Sequence, residues 1–141
     1  MAKKKIRVAI NGFGRIGRAA FKIMLDSQKY EVVAINDLAP VDSLAYLLKY
    51  DTVYGVYPKK INHGKDNITV NGKKYQITSQ ANPKKLPWKK LKVDVVLECT
   101  GFFVKDGAAG AHIEAGAKKV IISAPVKGGG GVDTFLLGDN E

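Results

Sequence analysis

Two rhythms of apolar residues run through the first forty positions. Ile6-Arg7-Val8-Ala9-Ile10 is a short run with β-branched residues that stops at Asn11-Gly12. Ile16, Ala19, Ala20, Ile23 and Met24 then recur at helical spacing, with Arg18, Lys22 and Asp26 on the opposite face. Tyr30 to Ile35 is a second β-branched run, ended by Asn36-Asp37. Strands without alternation suit the inside of a parallel sheet covered on both faces. A parallel pair needs a crossover, and the helix between the two runs supplies one of right-handed sense.

The pattern continues with a helix over Val41–Tyr50 after Pro40. Asn71-Gly72 between Ile68-Thr69-Val70 and Lys73–Thr78 predicts a hairpin. His63, beside Asn62 and Gly64, falls in a loop, and the lysine-rich stretch 79–92, with Pro83 and Pro87, reads as a loop or edge segment. Regular alternation resumes with a strand over Val93–Glu98, a small-residue helix over Lys105–Ala117 and a strand over Val120–Ser123. Gly128–Gly131 is a loop, and Thr134–Leu137 is read as a last strand. The order predicts an α/β chain of Rossmann type: an open, mainly parallel sheet with helices on both faces and an inserted antiparallel hairpin.

Composition narrows the class. A length of 141 residues suits one compact domain, and 45% hydrophobic against 26% charged residues excludes a wholly disordered chain. No apolar run reaches the roughly 18 residues of a membrane span, and the start lacks the apolar core of a secretory signal. One cysteine, Cys99, forms no internal disulfide, so a reducing cytoplasm is the expected compartment. The net charge of +10 comes from 20 lysines and three arginines against 13 acids. The lysine doublets are scattered, which predicts a solvated surface and at most weak, salt-sensitive contact with nucleic acid.

The chemistry concentrates at Gly12-Phe13-Gly14-Arg15-Ile16-Gly17, a G-x-G-x-x-G that follows a strand and opens a helix. Gly12 allows the tight turn, Gly14 lets backbone approach a pyrophosphate, and Gly17 lets helix pack on strand. The free N–H groups at the helix start make an anion site. Asp37 ends the second strand twenty residues after Gly17. There a carboxylate accepts hydrogen bonds from ribose hydroxyls and repels a 2′-phosphate, which favours NAD over NADP. Thr100-Gly101 and Ser123-Ala124-Pro125 follow later strands at the same sheet edge. They are either nicotinamide-side contacts or plain strand-to-helix turns. Cys99, flanked by Glu98 and with no histidine near it in sequence, reads as a small buried hydrophobe rather than a nucleophile. His63 and His112 have no metal-ligand spacing with it.

These residues also carry a resemblance. Ala9–Arg18 (AINGFGRIGR), Ala34–Leu38 (AINDL), Leu47–Asp51 (LLKYD), Glu98–Phe103 (ECTGFF), Gly110-Ala111-His112 and Val120–Pro125 (VIISAP) resemble the amino-terminal part of glyceraldehyde-3-phosphate dehydrogenase, in order and along the whole chain. The resemblance implies NAD as cofactor, with Arg15 and Ile16 contacting the pyrophosphate and Asp37 the ribose. It places Thr100, Gly101 and Ser123 on the nicotinamide side, and Asn11, Gly12, Gly14, Gly17 and Asn36 complete the implied cofactor site. It also implies a homotetramer, with glyceraldehyde 3-phosphate and phosphate as substrates of the complete enzyme.

Two departures stand out. Ala81 occupies a position where the family commonly has an arginine near the adenine. The family's nucleophile segment, Ser-Cys-Thr-Thr-Asn, and its later histidine do not occur here. Residues 1–141 are therefore read as the NAD-binding domain without the catalytic domain: a piece that binds NAD and does not catalyse. Erythrose-4-phosphate dehydrogenase, whose opening segment is similar, and a non-catalytic module binding NAD or nucleic acid are the alternative readings.

Overall fold

The computed structural model describes residues 3–140. Nine strands form in chain order: β1 (Ile6–Asn11), β2 (Tyr30–Asn36), β3 (Tyr50–Asp51), β4 (Gly55–Val56), β5 (Ile61–His63), β6 (Asn67–Val70), β7 (Lys73–Thr78), β8 (Val95–Glu98) and β9 (Lys119–Ile122). The helices are α1 (Arg15–Leu25), α2 (Val41–Lys49) and the single turn α3 (Ala111–Glu114). Seven strands make one sheet in the order β5-β6-β7-β2-β1-β8-β9, and β3 and β4 pair separately. Strands β7, β2, β1, β8 and β9 run parallel to one another. Strands β5, β6 and β7 form an antiparallel meander joined to that core.

The alternation of side chains across the sheet divides the core in two. Val8, Ile10, Val32 and Ile35 face α1 and α2, where Phe21, Met24, Leu44 and Leu48 are buried with Ile68, Tyr75 and Ile77 of the meander. Ala9, Ala34 and Val96 face the other way, under Trp88, Leu86, Val93 and Ala117. A register shift between Val8 and Ala9 lets β1 and β2 keep this division despite one extra residue in β2. The doubly wound, mainly parallel α/β architecture follows as the sequence predicts, and the cofactor-facing edge lies at the carboxyl ends of its strands.

The hairpin forms as expected. Asn71 and Gly72 both take positive φ, 47° and 85°, the two left-handed positions a type I′ turn demands. Three expectations are corrected. Lys105–Ala117 is not one helix: a 3-10 turn at Ala108–Gly110 leads into the four residues of α3. Asp106 and Gly107 at positive φ delay the start, and Gly116 at φ 109° ends it against Lys89. Thr134–Leu137 is not a strand; it has no neighbour to pair with among the described residues, and Phe135, Leu136 and Leu137 are exposed. His63 ends the short strand β5 rather than lying in a loop.

Candidate functional site

The first turn of the sheet builds the site. Gly12, at φ 92°, turns the chain out of β1 while its N–H donates to the Asn36 carbonyl, 2.8 Å away. A Cβ on Gly12 would lie 2.7 Å from the Thr100 nitrogen, and one on Gly17 2.2 Å from the Gly12 carbonyl oxygen. These two positions are glycine because backbone occupies the space of a side chain. Gly14 differs: a Cβ there meets nothing within 4 Å, so its open face looks into free space. Gly14 caps α1 with no side-chain hydrogen bond, and the first helical turn holds no acidic residue. The helix start thus keeps its amide donors and positive end available to an anion.

A cleft of about 460 Å³ opens at this edge, lined by Asn11, Gly12, Gly14, Asn36, Asp37, Leu38, Gln80, Ala81, Cys99, Thr100, Phe102 and Phe103. Four strands supply it from their carboxyl ends. Asp37 is tied at both oxygens: Oδ2 accepts from the Phe13 N–H at 2.7 Å and Oδ1 from the Ala39 N–H at 2.8 Å. Each oxygen retains a lone pair, so the carboxylate can still accept hydroxyl donors from the cleft. The open glycine face, the uncapped helix and the half-buried carboxylate together fit a dinucleotide: phosphate on one side, sugar diol on the other.

The sequence-predicted residues do not all share this cleft. Asn11, Gly12, Gly14, Asn36, Asp37 and Thr100 line it. Gly17 is buried behind it, and Arg15 and Ile16 are exposed in the first turn of α1. Gly101 is exposed at φ 77° in the turn after β8, with open space around it, and does not line this cleft. Ser123 is exposed and lines a second groove with Val120–Val126 and Val132–Phe135. Thr100 therefore neighbours Asp37 across one cleft while Ser123 does not join them.

Asn11 and Asn36 have their side chains fully engaged inside the protein. Asn36 Nδ2 donates to Asn11 Oδ1 at 2.7 Å and to the Gln80 carbonyl at 2.9 Å. Asn36 Oδ1 accepts from Thr78 Oγ1 at 2.8 Å and from the Gln80 N–H at 2.9 Å. Asn11 Nδ2 donates to Glu98 Oε2 at 2.7 Å. With their side chains held this way, the two residues form the floor of the cleft.

Sequence reasoning passed over the partners of that floor. Glu98 and His112 are fully buried and meet at 2.5 Å, Nε2 to Oε2. Burial pushes the Glu98 carboxyl up, but hydrogen bonds from His112, Asn11 and Thr100 outweigh it and hold the group below its ordinary value. Trp88, the largest fully buried side chain, donates Nε1–H to His112 Nδ1 at 2.9 Å. The only hints in the sequence were an acid ending an apolar strand and a histidine in a small-residue segment. Cys99 is half-buried in the cleft wall, and burial pushes its thiol up against a hydrogen bond with Ser123. That is the inert environment expected of it. Among the described residues no cluster of His, Cys, Asp and Glu could hold a metal, and no helix is long and apolar enough to cross a membrane.

The doubly wound sheet, the glycine turn and the acid at the next strand end define a dinucleotide-binding domain of Rossmann type. The profile "Glyceraldehyde 3-phosphate dehydrogenase, NAD binding domain" matches residues 6–106. The chain belongs to that family, as its NAD-binding domain. Relatives include glyceraldehyde-3-phosphate dehydrogenase 2 of Bacillus subtilis, 52% identical over 139 residues, and the chloroplastic glyceraldehyde-3-phosphate dehydrogenase of Chondrus crispus, 50% identical over 139 residues. The glyceraldehyde-3-phosphate dehydrogenase of Chlamydia pneumoniae is 48% identical over 137 residues. The alignments cover 96–97% of this chain but only 33–40% of these relatives' own lengths.

Proposed function

We propose that this chain is the cofactor-binding half of a phosphorylating glyceraldehyde-3-phosphate dehydrogenase, with the cleft beside Gly12 and Asp37 as its NAD site. The carrying observation is the uncapped start of α1 behind the open face of Gly14, facing a cleft that Asp37 also lines. In this reading the first-turn amides of Arg15, Ile16 and Gly17 receive the pyrophosphate. Asp37 accepts the adenosine ribose hydroxyls, and Leu38, Ala81, Phe102 and Phe103 surround the adenine end. Thr100, Gly101 and Ser123, which follow β8 and β9, are left for the nicotinamide end. NAD, when bound, supplies the hydride acceptor.

The aldehyde oxidation and phosphorylation to 1,3-bisphosphoglycerate belong to the complete enzyme, because no Ser-Cys-Thr-Thr-Asn segment occurs in these 141 residues. The exposed apolar patch of Tyr46, Leu47, Tyr50, Val53, Tyr54 and Val56 on α2 and the β3–β4 pair supports assembly into a homotetramer. A single cysteine, half-buried and unpaired, supports a reducing, cytoplasmic setting.

Calorimetric titration of the purified chain with NAD, then with RNA at two salt concentrations, tests the reading. Saturable NAD binding that moderate salt leaves unchanged is the expected result, with no turnover of glyceraldehyde 3-phosphate. RNA binding untouched by NAD, with no NAD isotherm, would replace the nucleotide site by a surface-charge function.

A further inference from the structure

The last residues of four neighbouring strands stand side by side beneath the cleft. Thr78 of β7 pairs in register with Asn36 of β2, Asn36 with Asn11 of β1, and Asn11 with Glu98 of β8. All four are polar where the rows below them are apolar, and hydrogen bonds join them into one continuous row. A polar row across the buried centre of a sheet is costly unless every group is satisfied.

We propose that Glu98 is the positioning residue of the cofactor cleft: as a purely accepting carboxylate, it fixes the direction of this row and holds Thr100 in place for the nucleotide. The role rests on the reading of the cleft as the NAD site.

The direction is set from both ends. At one end Gln80 offers a backbone N–H and a backbone carbonyl to the two sides of the Asn36 amide, so that amide cannot turn over. Asn36 must then donate to Asn11 Oδ1, which leaves Asn11 Nδ2–H pointing at Glu98. At the other end indole Nε1–H can only donate, so His112 Nδ1 accepts from Trp88 and the ring hydrogen lies on Nε2. It too points at Glu98, 2.5 Å away. Thr100 adds its backbone N–H at 3.0 Å and its hydroxyl at 2.5 Å to the other carboxylate oxygen. Four donors converge on one side chain, three of them with no freedom to reverse.

Only an ionised carboxylate accepts from all four. An amide at position 98 brings its own N–H₂ against at least one fixed donor. With its oxygen kept on Asn11 and His112, the conflict falls on the Thr100 N–H, in the wall of the cleft. The same row makes α3 and Trp88, on the far face of the sheet, hold a residue that the nucleotide touches.

The test compares NAD affinity of the full 141-residue chain with Glu98→Gln, His112→Leu and His112→Gln, each checked for a cooperative melt. Leaving one buried donor unmatched predicts about tenfold weaker NAD binding for Glu98→Gln and about fivefold for His112→Leu. His112→Gln keeps an N–H donor near the Nε2 position and restores affinity to within about twofold of the unmodified chain. If Glu98→Gln does not fold, the His112 pair decides alone. Equal losses in both His112 variants would mean that the ring acts by volume, and unchanged affinity in all would leave Glu98 with packing only; either result overturns the role. No NAD binding by the unmodified chain would remove the cleft reading and this role with it.

Discussion

Gly17, in the first turn of α1, packs against Gly12 so closely that a Cβ on it would lie 2.2 Å from the Gly12 carbonyl oxygen. The third glycine of the loop is thereby fixed by steric contact with the first, and the helix start is drawn down onto β1. Gly17→Ala must push α1 off the strand, because the obstructing atom is backbone and cannot rotate away. The expected cost is about 2–4 kcal/mol of stability, read by urea unfolding, together with loss of NAD binding. Gly14→Ala should unfold like the unmodified chain, since its Cβ would meet nothing within 4 Å, yet bind NAD more weakly because the methyl fills the open face. A Gly17→Ala chain as stable as its parent would show that the contact relaxes at no cost.

Asp37 carries two roles that one substitution can separate. Its Oδ2 holds the Phe13 N–H inside the glycine loop at 2.7 Å, and its free lone pairs face the cleft. Asp37→Asn keeps an acceptor for Phe13, gives up the one that the Ala39 N–H uses, and removes the negative charge that repels a 2′-phosphate. NAD affinity should then fall about tenfold while discrimination against NADP largely disappears, measured as the ratio of the two dissociation constants. An unchanged ratio would take Asp37 out of ribose recognition.

Asp94 predicts how the chain responds to acid. At the amino end of the sheet it accepts the Arg7 N–H at 3.0 Å and Lys118 Nζ at 2.6 Å. Lys118 first, and the Arg7 N–H second, hold its carboxyl below the ordinary value. A depressed folded-state pKa means that the stabilisation is fully present above the unfolded value, about 3.9, and is lost as pH falls through the lower folded one. Lys118 is largely exposed, so solvent screens the pair and Asp94→Asn should cost only about 1 kcal/mol at pH 7. The gap between the two melting curves should narrow as pH falls below the unfolded value and close once Asp94 is protonated in the folded state as well. A gap that persists at that point would mean that the loss comes from packing instead.

What could be read from the chain, and what could not, divides along the range of the interactions. The Asn71-Gly72 turn and the continuous apolar strands are set by neighbours within a few positions; the glycine loop and Asp37 are legible by their spacing, although Gly12 meets Thr100 and Asp37 meets Phe13 only in the folded sheet. The broken helix after Lys105 is different. Gly116 ends it against the backbone of Lys89, a contact 27 positions away that no local pattern contains. The cleft floor was hidden for the same reason. Asn11, Glu98 and His112 become partners only when β8 is laid beside β1, and each alone resembles an ordinary strand-end or helix residue. Thr134–Leu137 misled because a short apolar run signals a strand only where another strand is there to pair with it.

Ala81 offers the reverse experiment, a gain rather than a loss. It lines the cleft beside Asp37 and Leu38, is exposed, and stands where the resemblance places an arginine near the adenine. In the proposed NAD site a methyl group there would leave one side of the base facing water. Ala81→Arg brings a planar cation that can stack on the base, an interaction of about 0.5–1 kcal/mol at an exposed site. That corresponds to NAD binding tighter by about two- to fivefold. Because the site is on the surface, the substitution should leave the melting temperature almost unchanged. The same gain should appear with AMP, which carries the adenine on a ribose phosphate, and not with nicotinamide mononucleotide, which carries nicotinamide on the same group. Tightening seen equally with both mononucleotides would point to a general effect of added positive charge and would move the adenine away from Ala81.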